Sequence, residues 1–329
     1  MQTIGIIGAG AWGTALALAV HRAGARVTLQ AHEPELVDTI NARHENTLFL
    51  PGIDLPSDLI ATADIEGAVA CDAVLLAVPA QFLRRACQQA KAHWQPGVPA
   101  IICAKGIEQD SLKLMSEVVE EELGHTVPIA ILSGPTFAIE VARDLPTAIT
   151  LACADSTLGH LLCQRLSSRC FRPYYSPDVI GAQLGGAVKN VLAIASGIVE
   201  GRGLGDNARA ALITRGLSEI ARLGAVLGAK KETLMGLSGL GDLTLTCNAM
   251  QSRNFSLGVQ LGEGRALADI LADRSSVTEG VFTAAAVSQL AKQKQVDLPI
   301  CFAMDAVLAR KVDLDTAIAD LMNRPLNNE

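Results

Sequence analysis

Residues 8–13 read GAGAWG, which places three glycines at the first, third and sixth positions of a short segment near the N-terminus. The segment follows an apolar, β-branched run at residues 3–8 and precedes an Ala/Leu-rich stretch at residues 14–22 that is typical of a helix. Gly8 permits a tight turn, Gly10 lets backbone approach a pyrophosphate, and Gly13 allows close helix–strand packing. In this strand–turn–helix context the spacing predicts a dinucleotide-binding loop, with free N–H groups of the helix N-terminus facing the phosphates.

Strand and helix signals alternate through the first half of the chain. A further strand is predicted at residues 26–30. Apolar runs ended by glycine or proline predict strands at residues 72–79, 100–106 and 128–135, with another apolar run at 147–154. Helices are predicted between them at residues 36–43, 81–93 and 111–123. Continuous apolar strands separated by helices indicate parallel strands covered on both faces. The fold class predicted here is therefore α/β, with an N-terminal Rossmann-type doubly wound sheet.

The pattern changes near residue 178. From there strand signals stop, and long helical stretches begin at residues 179–200 and 208–227, the first of them rich in small residues. A chain of 329 residues is also longer than most single hydrophobic cores, so two domains are expected. We predict a dinucleotide-binding domain at residues 1–178 and an all-α C-terminal domain at residues 179–329.

Charge and composition argue against several classes of protein. The net charge is −7 and no run of Lys or Arg occurs, which argues against nucleic-acid binding. The N-terminus lacks the basic region of a signal peptide. The apolar stretch at residues 179–199 contains Gln183, Lys189 and Asn190, so it is a poor membrane span. The eight cysteines form no C-x-x-C pair, and we expect buried reduced thiols rather than disulfides or a metal site.

The cofactor type is left open by the residues after the second strand. NAD-binding domains usually place a carboxylate there against the ribose hydroxyls. This chain reads Gln30, Ala31, His32 and Glu33, and the neutral strand end favours NADP without an arginine to confirm it. His32 and Glu33 could equally be solvated loop residues. Trp12 has two interpretations, an indole flanking the pyrophosphate or simple packing at the loop edge.

Polar residues close two of the predicted strands, where doubly wound sheets bind ligands. Lys105 follows the strand at residues 100–106, and the segment SGPTFA at residues 133–138 combines glycine and proline with a hydroxyl at Thr136. An ordinary exposed strand-end lysine is the alternative for Lys105, and the better one if Lys105 is taken alone.

Lys189 is the more informative lysine. It lies in GGAVKNVLAIASG, an apolar helix of small residues that lysines avoid unless they reach solvent or serve a site. Partial desolvation lowers the pKa of a lysine and suits it to proton transfer near neutral pH. Asp242, the one carboxylate in LSGLGDLTLTC, is its expected partner.

QSRN at residues 251–254 is predicted to open a helix. Arg253 and Asn254 beside free N–H groups would form a phosphate cradle. The alternative is that Arg253 is a surface residue beside the helix cap.

Seven segments, in this order, resemble those of bacterial NAD(P)-dependent glycerol-3-phosphate dehydrogenases: GAGAWGTALA, CAKGIE, SGPTFAIEVA, QLGGAVKNVLAIASG, NARAALITRGLSE, GLSGLGDLTLTC and QSRN. The resemblance covers nearly the whole chain. It implies that dihydroxyacetone phosphate is reduced to sn-glycerol 3-phosphate with NADPH or NADH, without a metal, to supply glycerophospholipid synthesis. It further implies a cytoplasmic homodimer that assembles through the helical half.

The resemblance also implies roles for individual residues. Lys189 is similar to the family's proton donor and acceptor, and Lys105 and Asp242 complete the catalytic group. Substrate contacts are implied for these three residues and for Gly134, Thr136, Thr246, Ser252, Arg253 and Asn254. Cofactor contacts are implied for Gly8, Gly10, Ala11, Trp12, Gly13, His32, Lys105, Ala138, Arg253, Val277 and Glu279. Many relatives have Trp and Arg where this chain has Gln30 and His32, which leaves the choice between NAD and NADP open.

Two other functions fit parts of the sequence. A β-hydroxyacid or ketopantoate reductase would also join a Rossmann domain to a helical domain with a catalytic lysine, but it would not require the phosphate cradle at QSRN. A dinucleotide-sensing regulator would bind the cofactor without turnover, and the joint presence of Lys105, Lys189 and Asp242 argues against it.

Overall fold

The computed structural model describes residues 1–274 and 277–325. The described residues form an eight-stranded sheet with the order β3-β2-β1-β4-β5-β6-β7-β8. The strands are β1 (Thr3–Ile7), β2 (Arg26–Gln30), β3 (Ile60–Thr62), β4 (Ala73–Leu76), β5 (Ala100–Ile102), β6 (Ile129–Ser133), β7 (Thr147–Cys153) and β8 (Phe171–Ser176).

Helices connect the strands and then form the rest of the chain. Those around the sheet are α1 (Ala11–Arg22), α2 (Pro34–Arg43), α3 (Ile65–Val69), α4 (Leu83–Ala90), α5 (Met115–Leu123), α6 (Ala138–Ala142) and α7 (Ser156–Leu166). Those after the sheet are α8 (Val179–Gly201), α9 (Asp206–Leu227), α10 (Lys231–Leu234), α11 (Asp242–Cys247), α12 (Arg253–Gly262), α13 (Leu267–Ala272), α14 (Glu279–Gln293), α15 (Pro299–Leu308) and α16 (Leu314–Met322). A 3₁₀ turn at Ala80–Phe82 precedes α4, and a π-helical turn at Leu237–Gly241 precedes α11.

The first six strands are parallel, and the strand order reverses beside β1. β1 pairs with β2 on one side and with β4 on the other. Ligands of doubly wound sheets bind at such a reversal, outside the carboxyl ends of the strands. The GAGAWG segment follows β1 at this point, so the predicted Rossmann-type fold is confirmed and its glycine loop lies at the reversal.

One part of the predicted sheet was wrong. The apolar run at residues 147–154 was expected to be another parallel strand, but β7 pairs antiparallel with β6, Ser133 opposite Thr150. A parallel crossover must return along the whole strand, usually as a long helix. The connection here holds only the five-residue helix α6, so the chain stays at the carboxyl end of β6 and turns back.

Helix α8 is the centre of the helical half. Every residue from 181 to 199 is buried, and α8 packs against α9, α11, α12 and α14 as well as against β6 and β7. By length and composition α8 could cross a membrane, but 89% of its most apolar window is buried inside the fold. It is thus the core helix around which the other helices and one face of the sheet are arranged.

Candidate active site

The glycine loop has the geometry that its spacing predicts. Gly8 has φ of +106°, which favours glycine, and its N–H donates to the carbonyl oxygen of Gln30 at 3.0 Å. A Cβ at Gly13 would lie 1.8 Å from the carbonyl oxygen of Gly8, whereas a Cβ at Gly10 would meet no atom within 4 Å. Gly13 therefore permits the close packing of α1 on the loop, and Gly10 faces open space. This space beside the first turn of α1, which begins at Ala11, fits a pyrophosphate.

The adenosine end of the predicted cofactor site lies after β2. Ala31 is fully buried, Gln30 is half-buried, and His32 and Glu33 are exposed, so the side chain of Ala31 does not face a ligand at this strand end. Trp12 packs against the sheet core, and its indole Nε1 is buried without a protein partner. The described contacts of Trp12 are therefore those of the packing interpretation. Ala138 begins α6, which packs against α1.

Three charged side chains from distant segments meet at the carboxyl edge of the sheet. Asp242, which is 0% exposed, accepts from Lys105 Nζ through Oδ2 at 2.7 Å and from Lys189 Nζ through Oδ1 at 2.5 Å. Lys105 Nζ also donates to the carbonyl oxygen of Gly134 at 3.0 Å, and Lys189 Nζ to Thr246 Oγ1 at 2.8 Å. Lys105 is therefore not an ordinary exposed strand-end lysine, and the expected Lys189–Asp242 contact is present.

Glycines of α8 explain how these segments approach so closely. A Cβ at Gly185 would lie 2.4 Å from the carbonyl oxygen of Ser238, just before α11. A Cβ at Gly186 would lie 2.6 Å from Ser133 Oγ at the end of β6. Because Lys189 is one helical turn beyond Gly185, the same close packing brings its ammonium to the carboxylate of Asp242.

Burial sets the proton affinity of Lys189. Desolvation lowers its pKa, the carboxylate of Asp242 opposes this, and the ammonium of Lys105 lowers the pKa further, to about 8. Lys189 therefore changes its protonation state close to neutral pH. A buried lysine of this kind can give a proton to an oxygen that gains negative charge, or take it back.

The QSRN segment opens helix α12, as predicted. Ser252 is the N-cap, and its hydroxyl accepts from the N–H of Phe255 at 3.2 Å. Asn254 is buried, donates to Asn190 Oδ1 at 3.0 Å, and accepts from the N–H of Gly280 at 3.0 Å. This chain of amides joins α12 to α8, beside Lys189, and to α14.

Arg253 lies beside this chain of amides at the start of α12. It is exposed to solvent, yet enclosed closely enough for desolvation to lower its pKa, which Glu279 opposes. A partly desolvated cation of this kind is suited to bind an anion.

Glu279 connects the two halves of the chain. It is the first residue of α14, shortly after Val277, and its Oε1 accepts from the N–H of Ala80 at 3.0 Å. Its Oε2 is buried without a protein partner. Desolvation raises its pKa to about 7, opposed by the N–H of Ala80 and the charge of Arg253.

Hydrogen bonds bring six of the predicted site residues together at the sheet edge: Lys105, Gly134, Thr136, Lys189, Asp242 and Thr246. Thr136 lies beside the lysine group, where its hydroxyl donates to the carbonyl oxygen of Gly134 at 3.2 Å. His32 is exposed after β2 and makes no contact with the lysine group. Asn190 was not predicted as a site residue, although a second buried polar residue in the apolar α8 stretch was a usable signal.

Comparisons with known proteins agree over both halves of the chain. Residues 3–159 match a family described as NAD-dependent glycerol-3-phosphate dehydrogenase N-terminus, and residues 178–319 match its C-terminus. A glycerol-3-phosphate dehydrogenase [NAD(P)+] from Rhodospirillum rubrum is 58% identical, over 99% of this chain and 93% of its own length. The crystal structure of a glycerol-3-phosphate dehydrogenase from Coxiella burnetii is 40% identical with a TM-score of 0.94, covering 98% of this chain and 99% of its own. A ketopantoate reductase from Ralstonia eutropha shares the fold at 17% identity and a TM-score of 0.62, over 94% of this chain and 97% of its own.

Proposed function

The chain belongs to the NAD-dependent glycerol-3-phosphate dehydrogenase family, and on that premise we propose that Lys189 exchanges a proton with the substrate as dihydroxyacetone phosphate and sn-glycerol 3-phosphate are interconverted with NAD(P). The observation that supports this proposal is the buried group in which Asp242 holds both Lys105 and Lys189. Such a group places two cations where the oxygen of a carbonyl substrate would gain charge.

Each member of the group has a separate task. When bound, reduced NAD(P) would supply the hydride that the substrate carbonyl carbon accepts. Lys189, with a pKa of about 8, gives its proton to the carbonyl oxygen in the reduction and takes it back in the oxidation. Lys105, fixed by the carbonyl oxygen of Gly134, stabilises negative charge on the same oxygen. Asp242 orients both ammonium groups and, with Thr246, holds Lys189 in place.

A direct test follows NADH and NADPH absorbance with dihydroxyacetone phosphate and then with ketopantoate. We expect turnover with the first substrate and none with the second. Turnover with ketopantoate alone would favour the reductase alternative, and cofactor binding without turnover on either would favour the regulator.

We assign the substrate phosphate to Ser252, Arg253 and Asn254 at the start of α12. Replacing Arg253 by alanine is expected to raise KM for dihydroxyacetone phosphate by about tenfold to a hundredfold, because a charge-assisted phosphate contact is lost. Unphosphorylated dihydroxyacetone should react poorly with the wild-type enzyme and be almost unaffected by the substitution. Steady-state kinetics on both substrates measure the difference.

Arg265→Ala is the matched control, since it removes the same charge from an exposed arginine that pairs with Asp273. It should leave both KM values unchanged. An equal loss on the phosphorylated and unphosphorylated substrates would show that Arg253 does not bind the phosphate, whereas a parallel rise in the cofactor KM would show that it serves both ligands.

A modest preference for NADPH over NADH is expected, because the described residues place no carboxylate at the end of β2. The exposed His32 can donate a hydrogen bond to a 2′-phosphate. Ala31 is fully buried, so an aspartate there would enter the core, and exposed His32 and Glu33 are the better test positions. His32→Ala should lower the ratio of kcat/KM for NADPH to kcat/KM for NADH, and Glu33→Ala should raise this ratio.

Glu35→Ala, an exposed carboxylate in the first turn of α2, controls for charge alone and should change the ratio less. If the wild-type enzyme strongly prefers NADH and Glu33→Ala weakens that preference, the expected preference for NADPH is wrong. Glu33 is then the residue that discriminates between the two cofactors.

Three further proposals rest on the family. We place the domain boundary at the connection between β8 and α8, which gives domains at residues 1–178 and 179–329. We propose that the enzyme is a cytoplasmic homodimer that assembles through the helical half, and that its product enters glycerophospholipid synthesis. Light scattering of the purified protein tests the dimer.

A further inference from the structure

A loop outside the predicted site reaches back to the glycine loop. Residues 44–55, here called the 44–55 loop, follow α2 and close on themselves, because the N–H of Leu55 donates to the carbonyl oxygen of His44 at 2.7 Å. The N–H of Gly52 also donates to Glu45 Oε1 at 2.7 Å. The loop is therefore ordered by its own backbone.

Asn46 is the residue of this loop that meets the glycine loop. It is 0% exposed, and its Nδ2 donates to the carbonyl oxygen of Ala9 at 2.8 Å and to Thr14 Oγ1 at 2.7 Å. Its Oδ1 accepts from the N–H of Phe49 at 3.0 Å. Both amide hydrogens and the amide oxygen are thus engaged, a pattern that neither aspartate nor a hydroxyl residue reproduces.

We propose that Asn46 is a positioning residue for the cofactor pyrophosphate and acts by fixing the Ala9–Gly10 peptide. In a trans peptide the N–H points opposite to the carbonyl. Because Asn46 holds the Ala9 oxygen, the N–H of Gly10 faces away from Asn46, and Gly10 itself borders open space in the direction of a Cβ atom. Gly10 is also the N-cap of α1, so its orientation sets how the first turn presents its N–H groups.

Thr14 completes this contact from the helix side. Its hydroxyl receives the second Asn46 hydrogen, lies 3.4 Å from the Ala9 oxygen, and is fully buried. The 44–55 loop, the glycine loop and α1 are therefore joined through two polar side chains. The proposal rests on the assignment of the glycine loop to NAD(P). Its test therefore measures cofactor binding in the absence of substrate.

The experiment is calorimetric titration of the full-length protein with NADPH, NADH and ADP-ribose, which keeps the pyrophosphate and lacks nicotinamide. Asn46→Ala should raise all three Kd values by about tenfold, since a buried carbonyl loses its donor and the peptide is free to turn. Asn46→Asp keeps the shape but sets a carboxylate oxygen against the Ala9 oxygen, so the increase should be larger. In both variants kcat at saturating cofactor and KM for dihydroxyacetone phosphate should stay near wild type.

Asn41→Ala is the matched control. Its amide, in the last turn of α2, makes two hydrogen bonds to the backbone of Ala61 in β3, and neither of these reaches the glycine loop. It should lower Tm without changing any Kd. Thr14→Val replaces a hydroxyl by a methyl group, so the variant should fold. It should raise the Kd of ADP-ribose less than Asn46→Ala does. In the Asn46→Ala, Thr14→Val double variant it should add little to the Kd increase of Asn46→Ala alone.

Wild-type Kd values in folded Asn46→Ala and Asn46→Asp, or an equal rise in Asn41→Ala, would overturn the proposal. If Asn46→Ala does not fold, unchanged ADP-ribose binding in Thr14→Val overturns it. Failure of the wild-type protein to bind any of the three ligands would instead contradict the cofactor site itself.

Discussion

Replacing Lys189 by methionine is expected to lower kcat by about 10²–10⁴, the typical loss for removal of a general acid. Methionine has a similar length and fits the buried surroundings, so the cofactor Kd should change little. The Tm should fall, because the buried carboxylate of Asp242 keeps Lys105 but loses Lys189. The measurement combines steady-state kinetics with cofactor titration. Lys292→Met is the control, because its ammonium lies over the ring of Phe302, 5.4 Å from the centroid, and is not bonded to Asp242.

The pH profile of the wild-type enzyme tests the same assignment. Reduction requires protonated Lys189, whose pKa is about 8, so kcat/KM for dihydroxyacetone phosphate should fall as the pH rises through this value. Oxidation of sn-glycerol 3-phosphate requires the neutral amine and should rise over the same range. A methionine variant with wild-type kcat would exclude Lys189 as the proton donor.

Asp242→Asn should cause the second largest loss of activity in the reduction of dihydroxyacetone phosphate. The carboxylate raises the pKa of Lys189 against burial and against Lys105, so its removal leaves two buried ammonium groups facing each other. Loss of one partner from a buried ion pair typically costs about 3–5 kcal/mol. The pKa of Lys189 should then fall below 8, and kcat/KM for reduction at pH 7 should drop by about 10².

The diagnostic result for Asp242→Asn is a partial recovery of reduction as the pH is lowered, because Lys189 regains its proton there. Thr246→Val is the matched control, since it removes one hydrogen bond to Lys189 and leaves the carboxylate in place. A rate loss in Asp242→Asn that is the same at every pH would show that Asp242 acts by placement alone and does not set the charge of Lys189.

The sequence predicted the parts of the fold that have a strong local signal. The glycine spacing, the buried parallel strands and the change to helices after residue 178 are all periodic or compositional features. Two strands were missed for physical reasons. β3 is three residues long, and β8 reads FRPYYS, where Pro173, Arg172 and exposed Tyr174 resemble a loop. The direction of β7 depends on the path of its connection, which residue types alone do not encode.

The candidate site likewise contains residues with a local sequence signal and residues without one. Lys189 and Asp242 could be predicted because charged residues in apolar segments are conspicuous. Asn46 could not, since an asparagine in a polar loop is ordinary until its contact with Ala9, 37 residues away, is seen. The contact of Glu279 with Ala80 spans 199 residues and likewise has no local signal.

The burial of α8 also has a consequence for motion. Its central amides are covered on every side, so they should exchange with deuterated solvent only when the whole protein unfolds. Lys189, the residue proposed to exchange the proton, is therefore attached to the most slowly opening part of the molecule. Any conformational change on ligand binding is therefore expected in the elements around α8, such as the start of α12, while α8 itself stays fixed.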